Sequence, residues 1–139
     1  MGGDARHSMT WTYERGEGRQ KHCWKRNSAG FVPGARGAVG KCPAHISDAA
    51  AQAILNRGIE VKEADDDTYP ARIYAYHDGV VYEAVPTRPG ISYHGYPWRG
   101  DLPGRPPLPA YVWRRLEKQA EQASQEKELK KWRKKYGGQ

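Results

Sequence analysis

The chain has 139 residues, a net charge of +7 and a hydrophobic fraction of 37%. This length suits one domain, since two separate cores would each be marginally stable. No run of about 18 apolar residues occurs, and no apolar segment follows a basic amino terminus, which excludes a membrane span and a secretory signal. We therefore expect a cytoplasmic protein.

Charge is unevenly distributed along the chain. Residues 1–45 contain eight Lys or Arg and three Asp or Glu, residues 46–109 contain six and nine, and residues 110–139 contain nine and four. The two ends are therefore basic and the middle is acidic. This layout favours either a polyanionic partner that both ends bind or packing of the ends against the middle.

The amino-terminal region contains one candidate hairpin. Residues 1–8 are small and polar without periodicity, so we expect a flexible terminus followed by a single domain over residues 9–136. Residues 10–13 alternate polar and aromatic side chains, which predicts a half-buried strand, and residues 21–26 are its expected antiparallel partner. The glycine-rich residues 30–41 predict a loop.

A short helix is predicted over about residues 48–57. Ser47 is a favoured N-cap, Asp48 complements the helix dipole in the first turn, and Gly58 supplies a stop. The acidic residues 63–67 that follow are typical of a solvated turn.

The strongest β signal is a hairpin over about residues 72–85, at the centre of the expected fold. Asp78 and Gly79 form the pair preferred in two-residue type I′ turns, which places Ala75 opposite Tyr82. Both strands carry apolar or aromatic side chains on both faces, so we expect the hairpin to be covered on two sides.

Seven prolines at residues 86–109 predict irregular structure there. A long basic helix is then predicted over about residues 110–135, and its apolar side chains form two stripes on nearly opposite sides. Either the helix bends near Ser124, or its last two turns project and present Trp132 and Tyr136 to a partner. Together these elements predict a small, loop-rich α+β domain.

The segment at residues 91–100 is the best candidate site, because it combines an imidazole, aromatic rings and a guanidinium. In this hypothesis His94 is the general base, Arg99 binds a phosphate, and His77 or His45 is the second proton-transfer group. The rings available for stacking on bases are Tyr93, Tyr96 and Trp98. The alternative is that the same rings only pack the segment onto the hairpin.

The carboxy-terminal end of the last predicted helix is both basic and aromatic. Its cations neutralise phosphates in this hypothesis, and Trp132 stacks on a base or intercalates. The residues assigned to nucleic-acid binding there are Lys130, Lys131, Trp132, Arg133, Lys134 and Lys135. The alternative is a solvated, frayed helix end.

Two cysteines and a histidine form a weaker candidate site for zinc. The spacing of Cys42 and His45 is compatible with a ligand pair, and Cys23 lies upstream. Either His22 or His7 would complete the four ligands. Two free thiols or one disulfide are the alternatives, and no other cofactor is expected.

These features favour a small basic protein that binds nucleic acid, with RNA preferred over DNA because aromatic segments suit unstacked bases. One alternative is a metal-independent ribonuclease of the toxin kind that uses His94 and Arg99. A second alternative is a protein-interaction module that presents the basic aromatic helix to an acidic protein. No membrane partner is expected.

Overall fold

The computed structural model describes residues 11–14, 26, 28–32, 39–102 and 105–138. The predicted flexible terminus, residues 1–8, lies outside these ranges. Within them the chain forms a small α+β domain whose elements are, in order, β1 Thr12–Tyr13, β2 Gly30–Val32, β3 Val39–Lys41, α1 Asp48–Asn56, β4 Ile59–Val61, β5 Arg72–His77, β6 Val80–Arg88, β7 Ser92–Pro97, α2 Ala110–Gln122 and α3 Glu126–Tyr136. One mixed sheet has the strand order β1-β7-β6-β5-β4, and β2 and β3 pair separately.

Helix α1 forms where the capping residues predict it. The Ser47 hydroxyl oxygen accepts a hydrogen bond from the Ala50 backbone N–H at 3.1 Å, which satisfies one of the unpaired donors of the first turn. Leu55 packs with Ile73 of β5 in a small hydrophobic cluster. The chain leaves α1 through Gly58, where a Cβ atom would overlap the Ile73 side chain, so only glycine allows this close approach.

The central hairpin of β5 and β6 is confirmed in turn type and register. Asp78 and Gly79 have φ angles of 50° and 85°, as a type I′ turn requires, and Ala75 is paired with Tyr82. The two faces of the hairpin are covered by different elements. Tyr74 belongs to the larger hydrophobic cluster with α2 and α3, whereas Ile73 belongs to the cluster with α1.

The prediction of irregular structure over residues 86–109 is wrong for its first half. Strand β6 continues to Arg88, and β7 follows it as an antiparallel neighbour. Proline is tolerated at both positions because of where each one lies in the ladder. Pro86 adjoins a register shift between β6 and β7, and Pro97 is the last residue of β7.

A strand lies within residues 10–13, where one was predicted, and among the described residues its partner is β7. Thr12 pairs in parallel with Ser92 of β7. Residues 21–25 of the expected partner lie outside the described part of the chain. The loop predicted over residues 30–41 is also corrected, because β2 and β3 form an antiparallel pair in which Phe31 lies opposite Gly40.

The long helix predicted over residues 110–135 is two helices, α2 and α3. Ser124 has a φ angle of 58°, in the left-handed region, so the helical backbone breaks there and the chain changes direction. The buried residues of both helices then reach one cluster, which contains Leu116 of α2 and Leu129 and Trp132 of α3. The bend near Ser124 is therefore the alternative that the structure shows.

The end of α3 does not project from the domain. Trp132 is buried in the larger cluster, and Tyr136 packs against the same cluster. The backbone N–H of Gly100 donates a hydrogen bond of 2.7 Å to the Tyr136 carbonyl. No helix among the described residues is long and apolar enough to span a membrane.

We expect Trp98→Ala to lower the free energy of unfolding by about 3–5 kcal/mol, because a large buried ring is replaced by a cavity. Trp98 is 1% exposed, and its ring meets Tyr74 and Trp113 edge-on at centroid distances of 6.4 and 5.8 Å. Urea denaturation measures the change. The control is Ile91→Ala at an exposed position, where we expect less than about 0.5 kcal/mol. Equal losses in the two variants would contradict the packing role of Trp98.

Candidate functional site

Helix α3 presents four lysines on the side that faces away from the core. Leu129 and Trp132 are its buried residues, and at about 100° per residue the positions opposite to them are 127, 130, 131 and 134. All four side chains are exposed. We call Lys127, Lys130, Lys131 and Lys134 the lysine face. It extends over about 10 Å of helix, at 1.5 Å per residue.

Arg133 and Lys135, the other two cations of α3 that were predicted to bind nucleic acid, lie on the sides of the helix. The Arg133 guanidinium lies 4.2 Å from the centre of the Trp113 ring and 3.6 Å from the Glu117 carboxylate on α2. The Lys135 ammonium lies 5.2 Å from the Tyr136 ring. The predicted basic cluster is thus divided between an outward lysine face and two cations that contact the protein itself.

Trp132 is not presented to a ligand. It is 9% exposed, and its ring centre lies 4.5 Å from that of Tyr136 and 6.1 Å from that of Phe31. Its Nε1 atom is buried and has no hydrogen-bond partner among the described residues. The ring is therefore a core component and is not placed to stack on a base.

The aromatic segment predicted as a site is mostly strand β7. Tyr93 is fully buried, and its hydroxyl donates a hydrogen bond of 2.5 Å to the Pro70 carbonyl. Trp98 is buried as described above, whereas His94 and Tyr96 are partly exposed. Two of the three rings assigned to base stacking are consequently enclosed in the core.

The structure does not bring together the three predicted catalytic residues. His77 pairs with Val80 and His94 with Val85, five residues further along β6. Five residues of extended strand place the backbones of the two histidines about 16 Å apart along the sheet. Because side chains alternate along a strand, the odd number of residues also places the two rings on opposite faces. Arg99 lies beyond the end of β7, at the end of the sheet near His77.

His77 and Arg99 both have structural partners. The Nδ1 atom of His77 lies 2.9 Å from the Arg57 guanidinium, and burial, followed by the Arg57 charge, lowers the pKa of this histidine. Arg99 donates hydrogen bonds of 2.9 and 2.8 Å to Asp101, which raise the pKa of its guanidinium. The same guanidinium lies 5.0 Å from the centre of the Phe31 ring.

The zinc prediction is only partly within the described residues, because Cys23 lies outside them. Cys42 Sγ lies 3.7 Å from the Gly95 carbonyl, and His45 is exposed. Among the described residues, no group of three or more His, Cys, Asp or Glu side chains is arranged to hold a metal ion.

A polar cluster lies on the face of the sheet that carries Tyr76 and Val81 of the larger hydrophobic cluster. Its centre is Glu83 of β6, which is 4% exposed. The hydroxyl groups of Tyr74 and Tyr96 each donate a hydrogen bond of 2.6 Å, one to each carboxylate oxygen. Arg72 Nε and Arg105 Nη1 lie 3.4 and 3.8 Å from the same carboxylate.

His94 belongs to the same surface. Glu83 pairs with Tyr96, and His94 is two residues from Tyr96 along β7, so it points to the same face as Glu83. Diagonal neighbours of this kind are about 7–8 Å apart. We call Arg72, Tyr74, Glu83, His94, Tyr96 and Arg105 the sheet cluster.

Electrostatics keep the two tyrosines of the sheet cluster in their neutral form. Burial, followed by the negative charge of Glu83, raises the pKa of Tyr74 and of Tyr96 well above the usual range of tyrosine. Both hydroxyls therefore remain hydrogen-bond donors to Glu83 throughout the neutral pH range.

The sequence-based site missed Glu83, Arg72 and Arg105. A signal was available for Glu83, since a lone carboxylate within the apolar strand of a hairpin covered on both sides must be buried or paired. No comparable signal marks Arg105, which lies in the proline-rich segment and reaches Glu83 only in the folded chain.

Comparisons with protein-family models, curated proteins and solved structures find no match to this chain. A function is therefore assigned from the chemistry of its own surfaces. The lysine face and the sheet cluster are the two surfaces on which the proposals below depend.

We expect the free energy of unfolding to fall as the pH rises above about 10, the usual pKa of tyrosine. The unfolded chain loses its tyrosine protons there, whereas Tyr74 and Tyr96 keep theirs in the folded protein, so unfolding releases protons and high pH promotes it. Each such tyrosine contributes a slope of up to about 1.4 kcal/mol per pH unit.

Urea denaturation at a series of pH values measures this slope, and the double variant Tyr74→Phe/Tyr96→Phe should show a shallower decline than the wild type. Titration of tyrosinate absorbance in the folded protein provides a second readout. Ionisation of all nine tyrosines in one step near pH 10 would show that the hydroxyls are not held neutral.

Proposed function

We propose that this protein binds nucleic acid through the phosphate backbone, with the lysine face of α3 as the contact surface. The observation that carries the proposal is the purely cationic outward side of α3. Its two acidic residues, Glu126 and Glu128, lie on the flanks when the helix is viewed down its axis at about 100° per residue. Four ammonium groups on one helix side form a regular row that suits a line of phosphates.

The groove between α2 and α3 is less suited to phosphate than the lysine face. Arg114, Lys118, Lys130 and Arg133 line this groove, but so do Glu117, Glu121 and Glu126. Three carboxylates among four cations repel a polyanion locally, because like charges at close range oppose each other. Lys130 belongs to both surfaces, whereas Lys127, Lys131 and Lys134 of the lysine face lie outside the lining of this groove.

Packing of Leu129 and Trp132 into the core supports the proposal in a second way. It fixes the rotation of α3 about its axis, so the four lysines stay on the outward side. A frayed helix end would not hold a constant row of charges. Because the Trp132 ring is buried, the expected contribution of α3 to affinity is phosphate contact and not stacking.

The protein-interaction alternative has less support from these residues. Binding energy at protein interfaces is concentrated in exposed aromatic and arginine anchors in well-packed pockets. Trp132, the anchor of that hypothesis, is buried, and the outward side of α3 offers lysines alone. A cytoplasmic location remains part of the proposal, as does the preference for RNA over DNA, although Tyr96 alone of the four rings expected to stack on bases is partly exposed.

The binding test is a salt titration. For a single strand, log K falls with log salt concentration with a slope of about −0.7 for each phosphate neutralised, and for a duplex with about −0.9. Replacement of all four lysines of the lysine face with glutamine should therefore make the slope shallower by up to about 2.8 to 3.6. Fluorescence anisotropy with a labelled oligonucleotide measures it.

A matched control separates the lysine face from net charge. Lys131→Gln and Lys62→Gln each remove one exposed ammonium, but Lys62 follows β4 at the end of the sheet far from α3. We expect Lys131→Gln to change the slope by about 0.7 to 0.9 and Lys62→Gln to leave it unchanged. Equal effects of the two variants, or a wild-type affinity that does not depend on salt, would refute the proposed interface.

A further inference from the structure

We infer that the sheet cluster is a metal-independent site for RNA cleavage, with Glu83 as the general base and His94 as the general acid. Arg72 and Arg105 bind the phosphate. This inference adds an activity to the proposed binding function, and it depends on a different part of the molecule from the lysine face.

The burial of Glu83 carries an energetic cost. A charge removed from water costs several kcal/mol, and apolar replacements of buried ion pairs are often neutral or stabilising. Glu83 nevertheless lies at 4% exposure in the middle strand of the sheet. Two hydroxyls and two guanidinium groups converge on it, and the two arginines connect this carboxylate to the solvent.

The cluster has a positive charge in excess, which suits a phosphodiester. Two guanidinium groups, one carboxylate and the His94 imidazolium that the acid role requires give a net charge of +2, which attracts the single negative charge of a phosphodiester. Arg72 and Arg105 have side-chain exposures of 46% and 35%, so both are accessible from solvent. Their distances to Glu83 exceed the roughly 2.7–2.9 Å of a charge-assisted hydrogen bond, and Arg105 Nη1 also donates to the Arg99 carbonyl at 3.3 Å. Each guanidinium carries five N–H donors, so both arginines can also contact a phosphate.

Glu83 is oriented to accept a proton. Each carboxylate oxygen holds one tyrosine hydroxyl at 2.6 Å, which fixes the plane of the group. A carboxylate oxygen has two lone pairs, so each has a second acceptor position, which Arg72 and Arg105 approach at 3.4 and 3.8 Å. When these guanidinium groups turn to a phosphate, a ribose 2′-hydroxyl can use one of these positions. The pair of tyrosines therefore positions the base without occupying it fully.

His94 is oriented through its Nδ1 atom. Nδ1 lies 2.8 Å from the Thr87 hydroxyl oxygen, which itself lies 3.2 Å from the Glu14 carbonyl; in the imidazolium form both ring nitrogens carry hydrogen, so Nδ1–H donates to Thr87. This assigns the proton transferred in catalysis to Nε2 of the imidazolium. The backbone positions of diagonal neighbours are about 7–8 Å apart, so the side chains of Glu83 and His94, which point to the same face, can reach one phosphodiester.

The reaction is an internal transesterification. Glu83 takes the proton of the ribose 2′-hydroxyl while the 2′-oxygen forms a bond to phosphorus. The bond between phosphorus and the 5′-oxygen breaks, and His94 donates its proton to that oxygen. The guanidinium groups stabilise the charge that develops on the pentacoordinate phosphorus. The products are a 2′,3′-cyclic phosphate and a 5′-hydroxyl, so DNA, which lacks the 2′-hydroxyl, is not a substrate.

This site replaces most of the catalytic set expected from the sequence. His94 is retained, now as the acid. His77 and Arg99 are omitted because they lie at the other end of the sheet and have structural partners. Glu83 takes the role of the general base, and Arg72 and Arg105 take the role of binding the phosphate.

The test is incubation of the full-length protein with a labelled single-stranded RNA in the presence of a metal chelator. We expect fragments that end in a 2′,3′-cyclic phosphate, and no cleavage of DNA of the same sequence or of RNA methylated at the 2′-oxygen. Glu83→Gln and His94→Gln should each lower the rate constant by about 100- to 10,000-fold. The control Glu63→Gln, at an exposed carboxylate, should cleave at the wild-type rate.

Binding is measured in parallel with the uncleavable methylated RNA, and folding by thermal unfolding. Glu83→Gln and His94→Gln should bind this RNA as the wild type does, whereas Lys131→Gln should raise KM and leave kcat unchanged. A wild type that binds but does not cleave overturns the catalytic inference and leaves the lysine face intact. Cleavage at the wild-type rate by Glu83→Gln and His94→Gln variants that remain folded also overturns it. If the wild type cleaves RNA but replacement of the lysine face leaves its affinity unchanged, only the proposed interface is refuted.

Discussion

The turn at Ser124 is the constraint on which the arrangement of both helices depends. Its left-handed backbone reverses the chain after α2, and the next residue is tied to the sheet. The Gln125 side chain accepts a hydrogen bond of 2.7 Å from the Tyr76 hydroxyl, which in turn accepts one of 2.8 Å from the backbone N–H of Gly79. The turn between the helices is thus joined to the turn of the central hairpin. Because of this link, α3 returns over β6 with its apolar side inward and its lysines outward.

The sheet face beneath the helices serves two purposes. Near the hairpin turn it carries Tyr76, Val81 and Trp98, which α2 and α3 cover with their apolar residues. Further from that turn the helices give way to the sheet cluster around Glu83, reached from the side by Arg105. Tyr74 belongs to both parts, since its ring packs against Trp98 and its hydroxyl binds Glu83. The geometry of the polar cluster is therefore held by the same packing that stabilises the fold.

The local elements of this fold were predictable from the sequence, and the long-range pairings were not. The cap at Ser47 and the Asp78-Gly79 turn act within a few residues, so their consequences are visible in a short window. The parallel pairing of Thr12 with Ser92 depends on contacts across the whole chain, and no local pattern specifies it. Proline density over residues 86–109 was misleading because Pro86 and Pro97 occupy positions of the ladder that do not need an N–H donor.

The same distinction between local and long-range information applies to the candidate site. The basic character of α3 was evident, because charge can be read residue by residue. The burial of Tyr93, Trp98 and Trp132 was not, since an aromatic ring has the same appearance in a sequence whether it packs or binds. The members of the sheet cluster come from β5, β6, β7 and the segment before α2, and only the pairing register places them together.

The attachment of α3 by both of its ends also determines how this helix moves. Gln125 holds its first turn to Tyr76, and the Tyr136 carbonyl holds its last turn to Gly100. We therefore expect the hydrogen-bonded amides around Trp132 to exchange with solvent more slowly than those of a frayed helix end. A ligand that engages the lysines then meets a helix backbone that is already ordered, and the entropy lost on binding comes from the lysine side chains.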